Sequence, residues 1–344
     1  MNIQSLKSTI THQHHRESFS GVIFLRQQGQ VVFAEGFGMA NIADQLPNTA
    51  DTRFGTASGA KTFTAVAICQ LVEAGKLSFD TPLKDCLDIP LPHVDPGVTV
   101  HHLLTHSAGI PDYFDEGVMD DYEVLWRERP MYAFRSPRDF LPLFANSAMQ
   151  FKPGDHWAYN NAGFIQLGLV VEHMSGLPFT QYIEEHIFKP CGMTCSGYFA
   201  LDRLPKGTAL GYLPTKDGGW RSNIYSIPII GGADGGAFTT VNDLARFWDA
   251  LLGYRLLNKE TTERMLTPYW RTNPDNDRSC YGYGIWIKLE NGERQIYSMQ
   301  GEDPGVSFYP AYYPKPKLQF SLLGNTVEAT DAMYHCIAPF LRDA

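Results

Sequence analysis

The chain has 344 residues, 44% of them apolar, enough for one large domain or two tightly packed ones around a substantial core. Its formal charge is −9, with both signs scattered and no Lys/Arg run fit to neutralise a phosphate backbone, so nucleic acid is not an expected partner. No stretch approaches ~18 consecutive apolar residues, which excludes a membrane-spanning helix, and the opening MNIQSLKSTITHQHHRESF lacks the apolar core of a secretory signal, so a cytoplasmic location is expected.

Residues 20–42, SGVIFLRQQGQVVFAEGFGMANI, hold two β-branched and aromatic runs around a Gln/Gly turn and predict a hairpin. KTFTAVAICQLVEA, from Lys61 to Ala74, is apolar nearly all round and stops at Gly75, the pattern of a helix buried between layers. From about 80 to 200 the character changes. Helix-like segments such as GFIQLGLVVEHMSG and FTQYIEEHIFKPCG alternate with Pro/Gly loops. Beyond about 230, DLARFWDALLG predicts a helix, YGYGIWIKLENGERQIYSMQG two strands around an Asn-Gly turn, and LQFSLLGN a further strand. The closing ATDAMYHCIAPFLRDA is helical in pattern apart from Pro339.

Strands at both ends with helices between them predict an α+β fold: an antiparallel sheet domain formed by 1–79 and 201–344, an inserted helical lobe over 80–200, and a cleft between the two. The six cysteines, at 69, 86, 191, 195, 280 and 336, include no C-x-x-C pair and are expected to be free thiols. Cys191 and Cys195 form at most half a metal site, and the histidines of HQHH and HHLLTHS lack helix-spaced or carboxylate companions. No metal or other cofactor is expected.

Ser58 and Lys61 lie three residues apart, so on a helix opening near Ala57 they share a face. A serine hydroxyl becomes a good nucleophile when a base takes its proton, and a lysine can be that base if burial lowers its pKa. Placement at a helix start also aims backbone N–H groups at the negative charge of an attacked carbonyl. S-x-x-K alone is weak evidence, since a chain of this length should contain about one by chance. Its companion is Y-x-N in WAYNNAGF. Tyr159 can relay or accept the serine proton, and the Asn161 amide can hold Lys61 and a substrate carbonyl. The bland alternative makes Tyr159 a cap on an apolar helix.

The succession FGTASGAKTFTAVAICQLVEAGKLSFDTPL, HHLLTHSAGIPDY, FKPGDHWAYNNAGFIQLGLVVEHMSG, IFKPCGMTCSGY, GGADGGAFTTVNDLARFWDALL and YGYGIW resembles the serine β-lactamase and penicillin-binding-protein superfamily. The likeness is to the branch with class C β-lactamases, D-alanyl-D-alanine carboxypeptidases, D-aminopeptidases and esterases. It implies a β-lactamase/transpeptidase-like fold and a serine hydrolase that cleaves a small-molecule ester, amide or lactam through an acyl-enzyme on Ser58. Lys61 is then the partner of Ser58, and Tyr159 the general base and later acid, its pKa held down by Lys61. The family's K-T-G or H-x-G motif aligns with Met299, Gln300 and Gly301 of IYSMQGEDPGVSF, with the Glu302 N–H as second oxyanion donor beside that of Ser58. The cationic first residue of that motif is absent here, which disfavours substrates bearing a carboxylate. If the acidic stretch PDYFDEGVMDDYE lines the cleft, neutral or cationic substrates are favoured. A true β-lactamase or D-Ala-D-Ala carboxypeptidase, and a non-catalytic binding protein on the same scaffold, are the competing expectations. A Ser-His-Asp triad through His106 is a further alternative, against a structural role for that histidine.

Overall fold

The structure, a computed structural model, describes residues 2–119, 121–273, 276–327 and 329–342. The strands of its large sheet, in chain order, are β1 (Gly21–Gln27), β2 (Gln30–Phe37), β3 (Trp270–Asn273), β4 (Asn276–Tyr281), β5 (Trp286–Glu290), β6 (Glu293–Ser298), β7 (Gly301–Asp303), β8 (Val306–Tyr313) and β9 (Leu318–Gly324). Among the described residues these form one sheet in the order β2-β1-β9-β8-β6-β5-β4-β3, with β7 paired to β8 off that path. Every pairing in it is antiparallel. The helices used below are α1 (Ile3–Glu17), α2 (Lys61–Glu73), α3 (Val100–Leu104), α4 (Asn161–Ser175), α5 (Val241–Leu252) and α6 (Thr330–Arg342).

Local chemistry accounts for the predicted turns. The β1–β2 hairpin turns at Gln28 and Gly29, and the β5–β6 hairpin at Asn291 and Gly292, all four with positive φ as a type I′ turn requires. Helix α2 ends in Ala74 and a left-handed Gly75, and α4 in a left-handed Gly176. The terminal helix differs from its sequence pattern, because α6 runs through Pro339 instead of breaking there.

The period of two along β1 separates two cores. Val22 and Phe24 face one cluster with Phe63, Val66, Phe164 and Trp248, so the sheet, α2, α4 and α5 share a single apolar interior. Ile23 and Leu25 face the opposite side, where Leu6 and Ile10 of α1 and Met333 and Ile337 of α6 cover the sheet. Strand β9 is buried along its whole length because both layers close over it. Helix α2 is buried from Lys61 to Cys69, as its all-round apolar pattern predicts. Two buried hydroxyls pin it in place: Thr62 donates to the Gly284 carbonyl (2.7 Å) and Thr64 to the Ala233 carbonyl (2.6 Å).

Phe63 lies at the centre of this packing, fully buried and edge-on to Phe188 and Phe247 at 5.0 Å from each. Phe63→Ala should therefore lower the free energy of unfolding by about 3–5 kcal/mol in urea titrations. A loss below about 1 kcal/mol would contradict this packing.

Candidate active site

Ser58 sits in a 3₁₀ turn, Ala57–Ala60, that runs directly into α2. Ala57, just before it, has φ 42°, in the left-handed region that costs a non-glycine residue roughly 1–2 kcal/mol. Backbone bonds to the following glycine-rich loop hold that conformation: Thr56 N–H donates to Ala237 O (2.8 Å) and Gly236 N–H to Ala57 O (3.1 Å).

Lys61, the first residue of α2, is 1% exposed. Its Nζ lies 2.9 Å from Ser58 Oγ, 2.8 Å from Asn161 Oδ1 and 2.7 Å from the Asp234 carbonyl oxygen. The last two partners only accept, so they hold two N–H bonds in either protonation state. The third contact is reversible. An ammonium donates to Ser58 Oγ, whereas a neutral amine turns its lone pair to the Ser58 hydroxyl without moving. Burial lowers the Lys61 pKa from that of free lysine, opposed by the charges of Asp234, Glu116, Asp112 and Asp303.

The Tyr159 ring centroid lies 4.9 Å from Lys61 Nζ and stacks on Trp286 at 6.2 Å, with the phenol close enough to Ser58 to interact with it. Burial pushes its pKa well above that of free tyrosine, with nearby carboxylates adding to the shift. This direction is opposite to the expectation that Lys61 holds the phenol's pKa down. Asn161 opens α4. Its Oδ1 faces Lys61, while its Nδ2 donates to Asp112 Oδ2 and Phe114 O, both at 3.3 Å. Both acceptors of this Nδ2 lie within the protein.

Strand β7 lies against the serine turn. A Cβ on Gly301 would stand 2.7 Å from Ser58 N and 2.5 Å from Thr56 O, so only glycine permits this approach. Asp303 pairs with Val306 across the Pro304–Gly305 turn, so in an antiparallel ladder Glu302, opposite Ser307, turns its N–H to the outer edge. Gln300, Gly301 and Glu302 line the cavity with Ser58, Tyr159 and Asn161. Met299 does not, and its expected place at the substrate is corrected. It is 1% exposed, donates its N–H to Pro310 O (2.9 Å) and joins the core, where an uncharged thioether gains from burial.

A family model described as Beta-lactamase matches residues 6–335. The chain belongs to the beta-lactamase family. It is 47% identical to a penicillin-binding protein of Bacillus halodurans whose crystal structure superposes with a TM-score of 0.91, covering 97% of this chain and 99% of that one. An octameric penicillin-binding protein homologue from Pyrococcus abyssi is 31% identical with a TM-score of 0.80, over 99% of this chain and 78% of that one. Esterase EstB of Burkholderia gladioli is 30% identical over 54% of this chain and 49% of its own length. The fold is that of the β-lactamases and transpeptidases, and the chain is a serine hydrolase of this family.

Against that family frame, the cavity of about 1310 Å³ is notable for its acidity. Glu116, Asp121 and Glu123 from the acidic stretch line it with Asp234, Glu302 and Asp303, Glu123 being paired with Arg221, which also lines the cavity. Asp234 is buried and accepts a short hydrogen bond from the Tyr113 hydroxyl. Burial raises Asp112 to about 6 and Asp303 to about 7. Asp112 and Asp234 are site residues the sequence did not single out. Asp112 acts through its grip on the start of α4, accepting from the Asn161 and Ala162 N–H groups at 2.8 and 2.9 Å, and Asp234 supplies a backbone oxygen. Among the described residues no group of three or more His, Cys, Asp or Glu could hold a metal ion, no cysteine forms a disulfide, and no helix is long and apolar enough to cross a membrane.

Asp303 titrates near 3.8 as a free side chain and at about 7 in the fold, so between those values the native state holds a proton that the unfolded state has lost. The stability tied to that proton is complete below 3.8 and is lost as the pH rises through 7. Asp303→Asn should therefore be more stable than the parent at about pH 8, by a margin that shrinks towards about pH 5 in urea midpoints. A margin independent of pH would contradict the burial of this carboxyl.

Proposed function

We propose that the protein hydrolyses esters or amides through an acyl-enzyme on Ser58, with neutral or cationic substrates preferred over those bearing a carboxylate. The observation that carries this reading is the Lys61 cradle, whose single reversible hydrogen bond points at Ser58 Oγ. Neutral Lys61 takes the Ser58 proton as Oγ bonds to the carbonyl carbon, and the two electrons of the C=O π bond move to oxygen. The Ser58 and Glu302 N–H groups stabilise that oxyanion. As the intermediate collapses, the bond to the leaving group breaks, Tyr159 donates a proton to it, and Lys61 returns the proton to Tyr159. Water then attacks the acyl carbon, giving up a proton to Lys61, and as that second intermediate collapses Lys61 returns the proton to Ser58 Oγ, which leaves as the hydroxyl.

The substrate preference is supported by the acidic wall and by the buried Met299 in place of a cation. A carboxylate brought beside Glu302 meets like charge at the cavity wall. The second reading, a β-lactamase or D-Ala-D-Ala carboxypeptidase, is favoured by the 47% identity to the Bacillus halodurans penicillin-binding protein. The third, a scaffold that binds without turnover, has no support in the Lys61 geometry.

Turnover of p-nitrophenyl acetate, p-nitrophenyl butyrate and nitrocefin by wild type, Ser58→Ala and Lys61→Met tests the proposal. Ser58→Ala should lose on the order of 10³-fold or more in kcat/KM and Lys61→Met at least about 10²-fold, with the neutral esters preferred over nitrocefin. Equal turnover by wild type and Ser58→Ala would refute it. Nitrocefin turnover above that of the esters, or a stable penicillin adduct on Ser58, would favour the second reading, and no reaction with any fluorophosphonate or β-lactam probe the third.

A further inference from the structure

We propose that His106 is a positioning residue for Tyr159, tying the backbone on both sides of the tyrosine and packing on its ring so that the phenol stays on Ser58. The proposal rests on the Ser58 acyl-transfer reading above.

His106 is 1% exposed and follows α3 with φ 57°, a left-handed conformation that suits Gly or Asn and costs other residues on the order of 1 kcal/mol. Its carbonyl accepts the Ala158 N–H (2.9 Å) and its ring Nδ1 accepts the Asn160 N–H (3.1 Å). The residues before and after Tyr159 are therefore both tied to this one histidine. The ring centroid lies 4.4 Å from that of Tyr159, 4.7 Å from Tyr281 and 5.1 Å from Phe164.

The protonation state follows from these contacts. With the Nδ1 lone pair engaged, the ring proton sits on Nε2, which is buried with no hydrogen-bond partner among the described residues. Burial and the neighbouring Lys61 ammonium both disfavour an imidazolium. A neutral imidazole in this tautomer has no lone pair to offer Ser58, so the Ser-His-Asp triad is ruled out.

An orphaned buried N–H and a left-handed backbone are two local costs at one position, the kind of violation expected where function demands it. Asparagine would tolerate the backbone and could accept the Asn160 N–H, but has no ring to set against Tyr159. Phenylalanine would supply the ring and no acceptor. Histidine supplies both, and Tyr159 is the residue on which both act.

A positioning role has a signature that general damage to the fold lacks. Tyr159 supplies the leaving-group proton, and p-nitrophenolate leaves without one whereas ethoxide does not. His106→Phe should lower kcat on ethyl butyrate about 10–100-fold with KM within about twofold, yet lower kcat on p-nitrophenyl butyrate less than about threefold. His106→Asn, which keeps the acceptor, should fall between this variant and the wild type, and it carries the test alone if the phenylalanine variant does not fold. In a Tyr159→Phe background neither change should cost more than a further twofold, roughly, on either substrate. Equal losses on both esters, losses that multiply in the Tyr159→Phe background, or no loss at all would overturn the role of His106 while Ser58-dependent turnover in the wild type stands. Absence of that turnover in the wild type would overturn the functional reading first, and this proposal with it.

Discussion

An amine buried to 1% exposure is tolerated only if each of its polar directions is met, and the structure around Lys61 is organised by that requirement. Three segments far apart in sequence converge on one nitrogen: the serine turn, the start of α4 at Asn161, and the loop carrying Asp234. Each partner is held in turn. Asp112 fixes the Asn161 amide so that its oxygen faces Lys61, Thr64 holds the Ala233 carbonyl beside Asp234, and the strained Ala57 is braced by Gly236. The apolar shell of α2 and α4 that makes the amine costly to charge also keeps water from replacing these contacts. The Ser58–Lys61 contact and the burial of Lys61 are thus two consequences of the same packing.

Charge in the cavity works on two scales. Next to Ser58, Lys61 is surrounded by Asp234, Asp112, Asp303 and Glu116, which favour its protonated form and partly offset burial. Across the cavity, Asp234, Asp303 and Glu116 are joined by Glu302, whereas Glu123 is paired with Arg221 on the same wall. Met299 shows the other side of this arrangement. Where the family's motif has a cation, this chain buries a thioether, and no positive side chain from that position faces the carboxylates.

Much of the frame was legible in the sequence because local rules decide it. Gln28-Gly29 and Asn291-Gly292 announced hairpins through their positive φ, and the all-round apolar run after Lys61 announced a helix with no solvent face. The S-x-x-K and Y-x-N spacings named the side chains that meet. What escaped depends on the backbone or on register. The Asp234 carbonyl carries no residue-type signal, since any residue offers that oxygen. The inward turn of Met299 follows from strand geometry, and alignment by the neighbouring glycines could place its Cα but not its side chain. The raised pKa of Tyr159 reflects how deeply the phenol is buried, a tertiary property that no spacing announces. Pro339 was read as a helix breaker, whereas α6 carries it and still packs Met333, Ile337 and Leu341 against the sheet.

The account stands on the protonation behaviour of one side chain. A side-chain NMR titration of lysine-labelled protein, with the Lys61 signal assigned through Lys61→Arg, measures it directly. Lys61 should titrate below the free-lysine value of 10.5. Titration at or above 10.5 would mean that its amine stays charged beside Ser58 and cannot accept the serine proton.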